Sequence, residues 1–508
     1  MNKVIKLLAF LSCFLINDLI AQTDKFQEET IPALLDLKEF IALPNNGLNP
    51  LEIQKNIEWL ENAFTKRGFK TQQLTNKGNP LLFAEFKVSS ALPTVLFYMH
   101  LDGQAVDGTK WNQTSPYQAV LKRKHPKKGW ESIPWEALNN AFIDPDWRIF
   151  GRSASDDKGP IIGFLHSMDL LQKNNQKPIF NIKVILDSEE EMGSKYLAEA
   201  VAQYQGLLSA DALLINDGPV HTSGQPTLIF GCRGITRVDL TIFGASKPQH
   251  SGHYGNYAPN PNFRMAHLLA SMKDEAGRVI IDGYYDGIAW DSAATQTMSA
   301  VPDKQATILN LLEIAEPETV GNNYQESLQF PSLNVRGMSS GWVGSQARTI
   351  VPDKTTAAID IRLVPESDPE RLKTLIKKHI IEQGYHVVTQ EPSLEERKKY
   401  PKICYFYSGN NTLPFRTDMD SETGKWLERA LKKEYRQNPV KIRIMGGTVP
   451  IASFVRQMKI PAIIVPMVNS DNNQHSPNEN LKVQYLTNSM RTFYAIMTTP
   501  FEAAAQKE

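Results

Sequence analysis

Sulfur is scarce in this chain. Of 508 residues only Cys13, Cys232 and Cys404 are cysteine, and Cys13 lies in an N-terminal segment with the pattern of a cleaved leader. The two that remain, far apart in sequence, build neither a disulfide framework nor a zinc–thiolate cluster. Any metal must therefore use nitrogen and oxygen ligands. Net charge is missing too: 55 basic residues balance 55 acidic ones, and no long basic run stands out beyond Lys122 to Lys128. That disfavours nucleic acid as a partner. Internal repeats and low-complexity tracts are absent. The N-terminal apolar run, Leu7 to Ile16, is too short for a membrane anchor. Preceded by Lys3 and Lys6 and followed by Leu19-Ile20-Ala21, it reads as a secretory signal over residues 1–21. Phe10-Leu11-Ser12 ahead of Cys13 makes a poor lipoprotein site. The expectation is a soluble exported protein, periplasmic or secreted, with no stable membrane insertion after cleavage.

What the chain does have is length, and 41% hydrophobic residues to fill substantial cores. Asn49-Pro50-Leu51-Glu52 predicts a helix start, with Asn49 as N-cap, Pro50 at the first helical position and Glu52 completing a capping box. Ile53, Ile57, Leu60 and Phe64 then share one face, and Lys66-Arg67-Gly68 marks the stop. Nearly continuous apolar runs at Leu81–Phe86, Thr94–Met99, Ile182–Leu186, Ala212–Ile215 and Ala462–Val465 alternate with helical segments such as Ile161–Leu171. They predict an α/β domain whose mainly parallel central sheet is flanked by helices. From about Thr227 to Leu413 the pattern changes to the alternation of half-solvated strands, as in Thr236–Ile242 and Thr355–Leu363. Helices are expected at Asn262–Lys273 and Pro369–Gln383. This predicts an inserted α+β domain over 227–413 that splits the larger domain into 22–226 and 414–508, the second piece resuming with a helix from Thr417 to Tyr435. Lys122–Trp147 reads as a loop-rich insertion.

Polar motifs punctuate the apolar runs. His100-Leu101-Asp102 follows Thr94–Met99, and Asp156-Asp157 follows the turn Gly151-Arg152-Ser153-Ala154-Ser155. Glu189-Glu190-Glu191-Met192-Gly193-Ser194 follows Ile182–Leu186, Asp217 follows Ala212–Asn216, and His475 follows Ala462–Val468 across Asn469–Gln474. Each alone is explained as a solvated turn, an acidic face or a packed histidine. Together they are expected just past buried strands on the same edge of one sheet, where open α/β sheets keep their sites. Two imidazoles and several carboxylates without thiolate suit zinc, or manganese or cobalt, in a two-metal site. Two such ions, roughly 3.5–4 Å apart, can share a bridging carboxylate and activate a water.

In the order and spacing of these motifs the chain, from about Asn49 to its C-terminus, resembles the M20 group of dinuclear metallopeptidases, which includes carnosinase-like dipeptidases, aminoacylases and glutamate carboxypeptidases. The resemblance implies that His100, Asp156 and Asp217 hold one divalent ion and Asp156, Glu191 and His475 the other, with Asp156 as the bridge and zinc the first expectation. It implies that Asp102 fixes the tautomer of His100. Glu190 would be the general base, taking a proton from water and delivering it to the leaving amine. Gly193-Ser194 sets that register, with Glu189 as the lesser candidate. A cis peptide between Asp156 and Asp157 is implied as well. The inserted domain resembles the group's lid and dimerisation domain. His250, in Gln249-His250-Ser251-Gly252-His253, would reach the partner subunit's site in a homodimer and polarise the scissile carbonyl. Arg362 and Gly446-Gly447-Thr448 would bind the substrate's terminal carboxylate; without the resemblance, Arg362 reads as a strand salt bridge and the glycines as a turn. His166, His221 and His253 read as structural or surface residues. Ser153 and Ser188 stand where the group usually has glycine.

The expected substrate is a dipeptide or short peptide, because an aspartate at the position of Asp217 goes, in the resembled group, with aminopeptidases and dipeptidases. The alternatives are an N-acyl amino acid hydrolase or a carboxypeptidase using the same site, and a non-catalytic peptide-binding homologue. The full residue set speaks against the last.

Overall fold

The computed structural model describes residues 25–139, 143–449 and 451–502, apart from the side chain of Ser453. The expected signal segment, residues 1–21, lies outside them. The chain divides into two compact units. One comprises the chain up to Phe230 together with Thr417–Lys441 and the part from Ser453 onward; the other comprises Gly231–Arg416 and Ile442–Ala452. Among the described residues no helix is long and apolar enough to cross a membrane.

The first unit is built on an eight-stranded sheet in the order Lys70–Leu74, Leu81–Phe86, Asn181–Asp187, Thr94–His100, Ala212–Ile215, Ala462–Ile464, Thr227–Ile229 and Val440–Ile442. The middle four, from Asn181–Asp187 to Ala462–Ile464, run parallel. Leu81–Phe86 and Thr227–Ile229 flank them antiparallel. The continuous apolar runs have the expected cause: every residue from Val95 to Met99 is fully buried, because both faces of the sheet are covered. On one face the helices Lys158–Lys173 and Val483–Thr498 meet the strands, with the Phe164 ring 5.2 Å from Phe97 and 5.3 Å from Phe493. On the other, Tyr98 turns toward Phe454.

Helix Pro50–Lys66 starts where the sequence places it, and the Asn49 side chain accepts the Leu51 N–H at 3.2 Å. Its capping box does not form. The Asn49 N–H is already bonded to the Asn46 carbonyl at 2.8 Å, so Glu52 instead accepts the Asn46 N–H at 2.9 Å and Nδ2 of Asn49 at 2.8 Å. The segment expected to be loop-rich also carries structure. Val120–His125 and Gly129–Ser132 form a hairpin, held to the core by buried Leu121 and Ile133. With Arg148–Phe150 and Asn480–Lys482 it makes a separate four-stranded sheet.

The second unit has a five-stranded sheet in the order Asn334–Ser339, Lys354–Leu363, Gly234–Phe243, Ile403–Ser408 and His386–Val388. Lys354–Leu363 alternates strictly between buried and more exposed positions, as a sheet covered on one face requires. Helices Pro261–Ala270 and Pro369–Glu382 supply the cover, contributing Met265, Leu268, Leu372, Ile376 and Ile380 to the unit's core. The division differs from the expected 227–413. Strand Thr227–Ile229 pairs in the first unit's sheet, so the boundary falls after it. Residues Ile442–Ala452, expected in the larger domain, return to the second unit because Met445 N–H donates to the Gly231 carbonyl and Arg233 N–H to the Met445 carbonyl.

Candidate active site

Three neighbouring parallel strands deliver ligand-type side chains at their carboxyl ends. His100 is the last residue of Thr94–His100, and Asp217 follows Ala212–Ile215. Glu190 and Glu191 sit in a single helical turn, Glu190–Met192, beyond Asn181–Asp187. His475 stands in the loop between Ala462–Ile464 and Asn480–Lys482, in a left-handed backbone conformation. Asp156 departs from the expectation of one shared sheet edge. It arrives from Arg148–Phe150 of the smaller sheet and lies just before helix Lys158–Lys173. The peptide between Asp156 and Asp157 is cis.

These residues meet. Donor atoms of His100, Asp156 and Asp217 all lie within 4.8 Å of one another, and so do those of Asp156, Glu191 and His475. Asp156 belongs to both groups and divides its oxygens between them: Oδ1 is 2.8 Å from Nε2 of His100, and Oδ2 is 3.0 Å from Nε2 of His475. Glu191 Oε2 approaches the same His475 nitrogen at 3.0 Å. Asp102, fully buried, stands behind His100, whose Nδ1 lies 3.2 Å from the Asp102 carbonyl and 3.4 Å from its Oδ1. The Asp102 carboxylate also accepts the N–H groups of Glu190 and Glu191, each at 3.1 Å. One side chain thus orients the histidine and anchors the acidic turn. Asp157 is fully buried and accepts the His100 N–H at 3.3 Å, tying the turn to the strand end.

The electrostatics show which charge the site is built to receive. Burial, then the neighbouring Asp156 carboxylate, pushes Asp217 up to about 7. Burial likewise takes Asp102 to about 6, and drives Asp157 and Glu190 well above the carboxylate range, with Asp217, Asp156 and Glu191 adding to the effect on Glu190. Burial also opposes ionisation of Asp156, but hydrogen bonds from His100 and His475 outweigh it and hold its carboxyl below the usual range. His475, bonded to Asp156 and Glu191, is raised to about 10. Crowded, desolvated carboxylates around two imidazoles, with no thiolate, match the donor set that divalent cations take.

Several residues at the site were not singled out by their sequence. Gln104 donates to Glu191 Oε2 at 2.9 Å and Gln474 to Asp156 Oδ2 at 3.3 Å. Glu479, fully buried, accepts hydrogen bonds from Arg152, Ser153, Ser155 and Asp156 in the turn. A lone glutamate at the head of a short strand carries no local sign of such a role. The lesser base candidate is accounted for elsewhere: Glu189 accepts the Asn79 N–H at 2.8 Å.

The remaining predicted residues lie in the second unit. Arg362 Nη1 donates to Oγ1 of Thr448 at 2.7 Å, and its backbone N–H to Oγ of Ser332 at 3.0 Å. Among the described residues it has no carboxylate partner, so the strand salt bridge is not formed. Gly446 and Gly447 are in the same loop as Thr448, against which Arg233 also docks, its N–H donating to the Met445 and Gly447 carbonyls. His250 is exposed, ends the short strand Gln249–His250 and accepts the Gly252 N–H at 3.0 Å. His253 lies beside it with ring centroids 5.0 Å apart. His166 is buried and ion-paired, and His221 bonds Ser223.

A parallel-cored sheet that gathers imidazoles and carboxylates at its carboxyl edge defines the scaffold of a metal-dependent hydrolase. Residues 96–499 match Peptidase family M20/M25/M40, and the chain belongs to that family. It is 25% identical to a Cys-Gly metallodipeptidase of Candida albicans, over 92% of this chain and 94% of that one. It is 24% identical to a Beta-Ala-His dipeptidase of Mus musculus, over 92% of each. Among solved structures, an M20 family metallo-carboxypeptidase from Sulfolobus solfataricus superposes with a TM-score of 0.72 at 26% identity, covering 92% of this chain and 98% of the other. Human carnosine dipeptidase 1 shares the fold, with a TM-score of 0.69 at 20% identity over 94% and 98% of the two chains.

Proposed function

We propose that this peptidase is an exported dipeptidase with two divalent metal ions, zinc foremost, and that it works as a homodimer. The observation that carries the reading is the division of Asp156, one oxygen toward His100 and the other toward His475. A carboxylate so placed is built to bridge, with His100 and Asp217 completing one ligand set and Glu191 and His475 the other. When bound, the ions supply Lewis acidity to a water and to the scissile carbonyl. The protein's own residues do the rest. Asp102 holds the His100 ring in orientation. The Glu190 carboxylate takes the proton of the attacking water and passes it to the nitrogen of the leaving amine, a task suited to a carboxyl whose affinity for protons is raised by burial and by the acids around it. Arg362 and the loop of Gly446, Gly447 and Thr448 take the substrate's terminal carboxylate, a role supported by a guanidinium that has no acidic partner among the described residues. His250, acting on the partner subunit's substrate, stabilises the oxyanion. Dipeptides as substrates are supported by the names of the Candida and mouse relatives, and export by the leader-like N-terminus.

Purified protein assayed with and without chelator against dipeptides and N-acyl amino acids tests this. Chelator-sensitive release of amino acids from dipeptides is expected. Turnover confined to acylated amino acids would instead make it an acylase, and metal-independent binding without turnover would make it a peptide-binding homologue.

A further inference from the structure

Two segments far apart in sequence bring the two imidazole-bearing sides of the site together: the turn Gly151–Asp157 and the loop that runs from His475 to Asn480. Glu479 joins them. Its backbone carbonyl accepts the Gly151 N–H at 3.0 Å, and the next residue, Asn480, pairs with Phe150. Its side chain, fully buried, then lies along the turn. Oε1 accepts the Ser155 N–H at 3.0 Å, the Ser155 hydroxyl at 2.9 Å and the Asp156 N–H at 3.1 Å. Oε2 accepts the Ser153 N–H at 2.9 Å and Nη1 of Arg152 at 2.7 Å.

Every hydrogen bond to the Glu479 carboxylate comes from a donor, and the turn in which Ser153 takes a positive φ places three of its backbone N–H groups, those of Ser153, Ser155 and Asp156, on this one carboxylate rather than on a helix or sheet ladder. We infer that Glu479 is a positioning residue of the metal centre: it sets the Asp156 carboxylate at the separation from His475 that both need to share an ion. The inference rests on the proposed ligand assignment, and it concerns the ion between Asp156, Glu191 and His475 more than the other, because Glu479 fixes both a shared and an exclusive member of that set. A carboxylate is required. The amide of a glutamine has the same shape but turns an NH₂ toward N–H donors, so the Glu479→Gln chain loses at least two of the bonds and the turn relaxes.

The test is metal affinity of the full-length protein, measured by competition with a chromophoric chelator, beside visible absorption of the cobalt-loaded protein and the melting temperature of the metal-free protein. For Glu479→Gln the expected result is a loss of tenfold or more in affinity for one of two equivalents and an altered cobalt spectrum, while the metal-free melting temperature stays within a few degrees of the parent. Parent-like affinity and spectrum would overturn the inference, as would a weakened metal site accompanied by an equally large drop in metal-free stability, which marks a merely structural residue. If Glu479→Gln does not fold, Ser155→Ala, which deletes only the hydroxyl bond to Oε1, is read by the same three measurements. Two equivalents bound nowhere, in parent or variant, would refute the ligand assignment and not the role of Glu479 alone.

Discussion

Three successive glutamates meet three different surroundings. Glu189 is held by the Asn79 N–H, and any side chain on Gly78 would collide with its carboxylate. Glu190 is half-buried within the field of the Asp217, Asp156 and Glu191 carboxylates, and Glu191 faces His475. The pattern leads to a distinct expectation for Glu190→Gln: metal content stays at the parent value while turnover falls by roughly 10²- to 10⁴-fold, the range general base catalysis supplies. Metal analysis and single-substrate kinetics on the same preparation decide it, and loss of metal would move Glu190 into the ligand set. The preference for Glu190 over Glu189 comes from the resemblance, in which Gly193-Ser194 follow the ligand by two and three residues; in the structure Gly193, at positive φ, ends the acidic turn. Glu479 is illegible from sequence. Its partners, five backbone or side-chain donors from four residues between Arg152 and Asp156, are distant in sequence and carry no composition signal.

At the scale of elements, the apolar runs announce the buried strands well, since a strand covered on both faces has no polar side to show. The order of those strands, and the arrival of Asp156 from a second sheet, depend on tertiary pairing that no local pattern records. The same holds for the network that ties helix 25–41 to helix Lys158–Lys173. His166 Nδ1 is 2.8 Å from Glu29 and Nε2 3.0 Å from Asp36, while Arg67 bridges Asp36 and Asp169 and Lys173 pairs with Glu29. With cations on both sides, the grouping of Glu29, His166 and Asp169 is an ion-pair network. Burial works against charged His166, but bonds to Asp36 and Glu29 raise it above its ordinary 6.5. Glu29 and Asp36, opposed by burial in the same way, are lowered below 4.5 and 3.8 by their bonds to His166. A raised histidine stabilises fully below pH 6.5 and ceases to do so as pH climbs through its folded value. The lowered acids stabilise above about pH 4.5 and cease as pH falls through theirs. The network is therefore strongest near pH 5.5. His166→Gln should cost about 3 kcal/mol there, the low end for breaking a buried pair because Asp36 is partly exposed, and clearly less at pH 9. Urea unfolding of parent and variant at the two pH values measures the difference, and an equal cost at both would sink the assignment.

For the whole molecule the testable claim is assembly. If His250 serves the partner subunit, a chain carrying His250→Ala mixed with one carrying Glu190→Gln regains activity that neither homodimer has, up to about a quarter of the parent under statistical exchange of two subunits, since one site of each heterodimer keeps both groups. Tagged heterodimers, isolated and assayed, give the answer; no recovery would confine His250 to its own subunit or to structure. The two-unit layout is foreshadowed by the shift from continuous to alternating apolar patterns near Thr227. The return of Ile442–Ala452 to the second unit is not, because a short loop that adds itself to a neighbour by backbone hydrogen bonds, as Met445 does to Gly231, has no periodicity of its own.

That return has a consequence for how the protein is made. The chain passes between its units four times, after Phe230, Arg416, Lys441 and Ala452. Strand Ala462–Ile464, which lies between Ala212–Ile215 and Thr227–Ile229 in the finished sheet, is synthesised after everything on either side of it except the final segment. Until it emerges the middle of the first sheet has a gap, and His475 and Glu479 come later still. A nascent chain therefore carries an unfinished sheet and an unfinished site until the residues from Ala462 to Glu479 have been made, and a product truncated before His475 leaves half of its proposed bridge unserved.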